Sequence, residues 1–189
     1  MSRTVLRPFR KAAELNLGGT STSEKVFQDA DSNAIILALP QGWLGPNTST
    51  GRQFTWVVVR YGGRVIGGTT TNFTPQLQWG SSTTSTSNTD IESGAAVAVN
   101  SNTGQFAGVA EVLISVTGTG TARIEAMSNQ MVAGSTVTYT AEAKSDNSIT
   151  TYDPTLLGTN VGFVLTGTFS GGSADNKAYL DTFVAEVIE

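Results

Sequence analysis

Residues 106–127 read FAGVAEVLISVTGTGTARIEAM, and this stretch decides the fold class. It holds two strand-length runs, 106–116 and 122–127, that are rich in apolar and branched residues. Between them lies the short segment Thr117-Gly118-Thr119-Gly120. Branched residues favour strands, and glycine gives the backbone the freedom that a tight turn needs. The pattern predicts two antiparallel strands joined by a hairpin turn.

Further strand patterns lie on both sides of this hairpin. Residues 135–143, STVTYTAEA, alternate as a strand with one buried face does. Residues 53–61, QFTWVVVRY, are followed by Gly62-Gly63, which predicts a second tight hairpin and a core position for Trp56. Pro75 within residues 73–79 predicts a broken strand at an edge or a bulge. With the shorter runs, about nine or ten strands are expected, so the predicted fold class is all-β, a jelly-roll-like antiparallel β-sandwich.

Two segments are predicted to lie outside the strands. Residues 80–90, GSSTTSTSNTD, are uniformly polar and predict a long exposed loop. Residues 7–17 carry the best helical spacing of apolar residues and predict one short helix or a flexible arm. The basic residues gather at this end, and residues 12–189 hold seven basic and fifteen acidic groups. We therefore divide the chain into a basic, extended N-terminal arm, 1–19, and a single β-sandwich domain, 20–189.

The composition removes several classes of chemistry. The 189 residues include no Cys and no His, so Ser-His-Asp triads, Cys nucleophiles and thiolate or imidazole metal sites are excluded. Polarity comes from 18 Ser and 28 Thr, while only 14% of residues are charged. Paired carboxylates remain open as a catalytic route, but the acidic residues are scattered. We expect a protein that is not an enzyme and has no cofactor.

Metal, membrane and nucleic-acid partners are also not expected. The segment beginning at Asp29 resembles the start of a calcium loop, but Ala34 and Pro40 stand where an EF-hand needs Gly and Glu. It predicts a surface turn and no metal site. No apolar run reaches membrane-spanning length, and the first residues lack the apolar core of a signal peptide. A sequence pI of about 4.8 disfavours nucleic-acid binding.

Three stretches combine strand-like patterns with many Ser, Thr and Gly residues: 106–121 (FAGVAEVLISVTGTGT), 162–170 (GFVLTGTFS) and 171–189 (GGSADNKAYLDTFVAEVIE). In this the chain resembles structural proteins of tailed-bacteriophage virions, and more narrowly the jelly-roll capsid decoration (cement) proteins and head fibres. The resemblance covers roughly residues 20–189. It implies a homotrimer on the outside of a capsid, with the major capsid protein as its partner. Synthesis is then expected in the host cytoplasm, and localisation in the virion.

The resemblance also suggests a role for the N-terminal arm as a tether to the shell. We expect ionic contacts from its basic residues and an apolar anchor from its aromatic residue: Arg3, Arg7, Arg10, Lys11 and Phe9. Deleting residues 1–18 is then expected to abolish attachment while the trimer still folds. Three alternatives stay open. The first is a small-virus coat protein and the second is a tail-tube component. The third is a carbohydrate- or receptor-binding module of a fibre that stacks sugars on Trp43 and Trp79.

Overall fold

The structure is a computed structural model. It describes residues 3–6, 13–16, 23–29, 31–39, 54–68, 71–80, 82–91, 96–99, 103–118, 121–133, 137–149 and 162–188. Within these ranges the strands are β1 (Arg3–Leu6), β2 (Ala13–Asn16), β3 (Lys25–Val26), β4 (Ile36–Ala38), β5 (Phe54–Ile66), β6 (Asn72–Gly80), β7 (Thr89–Asp90), β8 (Val97–Ala98), β9 (Thr103–Gly118), β10 (Thr121–Ala133), β11 (Val137–Ile149), β12 (Gly162–Phe169) and β13 (Lys177–Ile188).

The strands form two antiparallel sheets. The larger sheet runs β1-β13-β5-β9-β10-β11, with β2 also paired to β13. The smaller sheet runs β3-β12-β6-β7, with β4 paired to β12 and β8 to β6. The predicted hairpin is present, since Gly118 of β9 pairs with Thr121 of β10. The predicted all-β, jelly-roll-like antiparallel sandwich is confirmed.

In three places two short strands pair with different parts of one longer strand. β1 pairs with residues 185–188 of β13, and β2 pairs with residues 177–180 of the same strand. In the same way, β3 and β4 pair with different parts of β12, and β7 and β8 pair with different parts of β6.

This arrangement corrects the predicted N-terminal arm and helix. Residues 3–6 and 13–16 belong to the larger sheet as β1 and β2, so this part of the 1–19 segment does not extend away from the sandwich. The physical reason is that one edge of β13 pairs with β5, while its other edge accepts both short strands. The four-residue span 13–16 lies within residues 7–17, for which one short helix or a flexible arm is predicted, and it forms a paired strand instead.

The core between the sheets is aromatic. Phe73 contacts Phe106 and Phe169 at ring-centroid distances of 5.2 and 5.0 Å, and Phe27 lies 6.1 Å from Phe106. All four rings are fully buried. Phenylalanine rings of this size dominate core energetics, so these contacts fix how the two sheets face each other.

The predicted hairpin at Gly62-Gly63 is wrong, because β5 continues through both glycines to Ile66. Gly63 is needed for space: a Cβ there would collide with the Tyr179 carbonyl and lie 2.8 Å from the Phe106 ring. The register between β13 and β5 shifts just beside this point, between Leu180 and Thr182. Close approach of backbones explains the glycine pair here, without any turn.

Two further sequence expectations change in the smaller sheet. β6 is continuous and lies between β12 and the β7/β8 line, although Pro75 sits within it. β8 pairs with residues 72–73 and β7 with residues 78–79 of this strand. The predicted exposed loop at 80–90 contains a 3₁₀ turn, Ser85–Ser87, and β7, and Ser85 is buried.

Candidate assembly face and polar groove

The outer face of the larger sheet carries apolar side chains in contiguous rows across its strands. In one row Trp56 of β5 pairs with Ile188 of β13 and Leu113 of β9. Because directly paired residues point to the same side of a sheet, these side chains are neighbours. Trp56 is 36% exposed and Leu113 38% exposed, which is unusual for such large apolar side chains.

The same face continues through two more rows. Val109 is 37% exposed and pairs with Arg60, and Val5 of β1 is 47% exposed and pairs with Glu186. We name these four exposed apolar residues and the strand surface between them the apolar face: Val5, Trp56, Val109 and Leu113. The prediction that Trp56 belongs to the core is therefore wrong.

Charges of both signs lie within and beside the apolar face. Arg60 forms an ion pair of 2.7 Å with Glu186, and Glu111 is exposed on β9 next to Leu113 in the alternation of that strand. Further along β5, Arg64 donates two hydrogen bonds of 3.0 and 3.1 Å to the Asp181 carboxylate. These bonds, followed by the negative charge of Asp181, raise the pKa of Arg64 above its ordinary value.

A separate polar cluster lies in the smaller sheet. Gln78 is 1% exposed, and its amide nitrogen donates to Asp90 at 2.7 Å and, at 3.4 Å, to Glu24. The hydroxyl of fully buried Thr166 lies within hydrogen-bond distance of the same Glu24 carboxylate. Ser85 donates to the Glu24 carbonyl at 3.2 Å. Glu24 thereby ties β3, β6, β12 and the 3₁₀ turn together.

Beside this cluster a half-open polar groove has a volume of about 650 Å³. One wall is the segment around β3 and the turn after it, and the other is the residues of the 3₁₀ turn and those just before it. Most of the lining residues have hydroxyl, carboxylate or amide side chains, and the full set is Ser23, Glu24, Lys25, Val26, Gln28, Asp29, Ser32, Thr83, Thr84, Ser85 and Thr86. We name this cavity the polar groove.

The Asp29 segment is a turn, as predicted. One carboxylate oxygen of Asp29 accepts hydrogen bonds from the backbone N–H groups of Asp31 and Asn33, both at 2.9 Å. Ser32, between them, adopts a left-handed conformation with φ of 64°. Aspartate commonly closes turns in this way. In the part of the chain that the structure describes, no group of three or more acidic side chains is placed to hold a metal ion.

Of the two residues predicted to stack on a sugar, the structure describes Trp79. Trp79 is 3% exposed and packs edge-on against Phe163, with 5.2 Å between ring centroids. Its position on β6 directs the ring into the core, so the prediction that it presents a face to a sugar is wrong. Trp43 lies outside the described residues. The same holds for most of the predicted capsid-contact set: Arg7, Phe9, Arg10 and Lys11. Of that set, Arg3 begins β1, where its backbone pairs with Ile188.

The apolar face and the polar groove were both missed from the sequence. Trp56 precedes three consecutive valines, Val57, Val58 and Val59, and all three are buried. That run hides the alternation which would have assigned Trp56 to the outer face. The groove joins the segment after residue 22 to residues 83–86, and no local pattern signals that contact. Among the described residues, no helix is long and apolar enough to cross a membrane.

Comparison with known proteins gives likeness of fold only. No family model and no curated protein sequence matches the chain. Among solved structures, it is similar to the lectin I of Ulex europaeus, at 7% identity and a TM-score of 0.29 over 98% of this chain and 97% of that one. It is also similar to the CBM2 module of the evolved Dit of Lactobacillus casei BL23 phage J-1, at 9% identity and a TM-score of 0.25 over 98% and 97% of the two chains.

A third similar structure is alginate lyase A1-II', a member of polysaccharide lyase family 7, at 11% identity and a TM-score of 0.23 over 93% of this chain and 74% of that one. The prediction that this chain is not an enzyme is corrected by this finding. Enzymes occur among its fold-level likenesses, and lacking Cys and His removes only the chemistries that need those residues. At these identities and TM-scores, nothing about the ligand or activity of this chain follows.

Proposed function

We propose that the chain is a structural protein of a bacteriophage virion, which acts as a homotrimeric capsid decoration protein. In this proposal the apolar face is the surface through which the subunits meet. The observation that carries it is the row formed by Trp56, Leu113 and Ile188 on the outer face of the larger sheet. The resemblance to jelly-roll decoration proteins supplies the setting, namely the outside of a phage capsid.

The extent of the apolar face supports burial by a protein surface. Single exposed hydrophobic residues are common on monomers, but contiguous apolar patches mark interaction sites. Here the exposed residues occupy β1, β5 and β9, which lie within four neighbouring strands of one sheet. Neighbouring strands are about 4.8 Å apart, so such a patch spans roughly 15 Å, a width suited to a subunit contact.

The charges on the face support a second copy of this chain as the occupant. The face carries Arg60 and Glu186 as an ion pair, together with exposed Glu111. A surface that holds both signs near its apolar centre can complement another copy of itself, because an arginine of one subunit can meet a glutamate of the next. A partner with a uniformly charged surface would lack this match.

The test is the solution mass of the wild type and of a Trp56→Ser/Leu113→Ser double variant, measured by light scattering. We expect a discrete wild-type mass near three times the 19.7 kDa chain mass and a monomeric double variant. Asn72→Ser is the matched control, since Asn72 is an exposed polar residue of the smaller sheet, and it should keep the wild-type mass. A monomeric wild type, or a double variant that keeps the wild-type mass, would overturn the proposal.

A further inference from the structure

The polar groove has the chemistry of a site for a hydroxylated ligand. Six of its eleven lining residues are serine or threonine, and each hydroxyl both donates and accepts a hydrogen bond. Glu24 and Asp29 add acceptors, Lys25 adds a donor and Gln28 adds both. We propose that the polar groove binds a short oligosaccharide, independently of the assembly function proposed above.

The walls of the groove are held in place before any ligand arrives. Ser85 donates to the Glu24 carbonyl at 3.2 Å and so links the two walls directly. On one side the Asp29 carboxylate fixes the turn that follows β3. On the other side, the backbone N–H of Thr84 donates to the Ser82 hydroxyl at 3.0 Å. A site ordered in advance loses less conformational entropy on binding, which favours a weakly binding polar ligand.

The balance of charge and shape selects the ligand class. The lining holds two carboxylates and one ammonium group, so a phosphate or another strongly anionic ligand would be repelled. Val26 is the one aliphatic side chain in the lining and is buried, so an apolar ligand finds no cluster of aliphatic side chains there. A volume of about 650 Å³ lies within the range of small-ligand sites and accommodates a few sugar rings. Neutral sugars match both the charge balance and the volume of the groove.

Two threonines allow the site to be tested without disturbing the fold. Thr84 and Thr86 are exposed on the rim, and within the described residues their hydroxyls hold no other element. A Thr84→Val/Thr86→Val double variant removes two hydroxyls while it keeps the side-chain shape. Thr182→Val is the matched control, because Thr182 is an exposed threonine on the larger sheet.

The experiment is saturation-transfer NMR followed by calorimetric titration, with neutral tri- to pentasaccharides of glucose, galactose and N-acetylglucosamine at millimolar concentration. We expect at least one to bind the wild type and Thr182→Val equally. The double variant should bind it about fivefold more weakly for each hydroxyl lost. Absence of binding by every saccharide would overturn the proposal. Equal binding by the double variant, or loss on Trp56→Ser instead, would overturn it as well. Because Trp56 lies on the apolar face and not in the polar groove, the saccharide titration and the measurement of solution mass can each fail independently of the other.

Discussion

Gly63 lies at a point of the larger sheet that has no room for an added carbon. A Cβ at this residue would collide with the Tyr179 carbonyl of β13, and it would lie 2.8 Å from the Phe106 ring. Phe106 in turn packs on Phe73 and Phe27 in the aromatic core. A single methyl group at residue 63 therefore displaces a backbone and an aromatic ring together.

We predict that Gly63→Ala lowers the free energy of unfolding by about 2 kcal/mol or more, because the added carbon forces strain on β13 and the core. Gly62→Ala is the control. The closest atom to a Cβ there is the Phe106 carbonyl oxygen at 3.3 Å, so its free energy should stay within about 1 kcal/mol of the wild type. Urea unfolding followed by tryptophan fluorescence, at one protein concentration, measures both. Equal stability of the two variants would contradict the packing described for Gly63.

The two described tryptophans exchange the roles that the sequence suggested for them. Trp56 was predicted in the core and Trp79 at an exposed strand end, whereas Trp56 is 36% exposed and Trp79 only 3%. A strand buried on one face alternates, so the burial of each residue depends on its register against the core. Around Trp56 the valine run conceals that register. In β6, by contrast, Phe73, Leu77 and Trp79 alternate with polar residues and share the buried face. Local sequence therefore leaves the facing of Trp56 undetermined, but it contains the signal for the facing of Trp79.

Strands were predicted better than their connections. The β9–β10 hairpin follows from two apolar runs around a Gly/Thr turn, and this prediction is confirmed. Gly62-Gly63 gives the same local signal for a different reason, the close approach of β13 to β5. Likewise β1 and β2 form strands because β13 offers a free edge, a feature more than 150 residues away in sequence. Contacts at such separation leave no mark in a local pattern.

The position of β1 and β2 changes what an N-terminal deletion does. Removing residues 1–18 removes both strands and leaves the outer edge of β13 unpaired. We predict that this deletion lowers the midpoint of thermal unfolding by roughly 5–10 °C and promotes aggregation. Differential scanning calorimetry and static light scattering report the two effects. An unchanged midpoint would mean that the pairing with β13 contributes nothing to stability.

Reversing the charges of the basic N-terminal residues distinguishes their expected role in capsid attachment from the structural role of β1 and β2 in the sheet. A variant with Arg3, Arg7, Arg10 and Lys11 all changed to Glu keeps the chain length, and so keeps the backbone pairing of β1 and β2. If the basic residues attach the protein to a shell, this variant should keep the wild-type unfolding midpoint and lose binding to capsids in a co-sedimentation assay. Retained co-sedimentation would show that these basic residues do not attach the protein to the shell.

At the scale of the whole molecule, the two surfaces belong to different sheets. The larger sheet exposes the apolar face, and the smaller sheet carries the polar cluster and the groove beside it. Subunits that meet through the larger sheet would leave the groove accessible to solvent. The proposed trimer therefore requires that the outer face of the larger sheet be buried between copies of the chain.

A Leu113→Cys variant tests that claim most directly, because the chain has no cysteine of its own. Leu113 is one of the exposed residues of the apolar face, so a short bismaleimide should link two subunits and give a covalent dimer on a denaturing gel. Asn72→Cys, on an exposed residue of the smaller sheet, is the control and should stay monomeric under the same treatment. A covalent dimer from Leu113→Cys alone is the predicted result. Monomer from both variants, or a dimer from Asn72→Cys alone, would contradict the account.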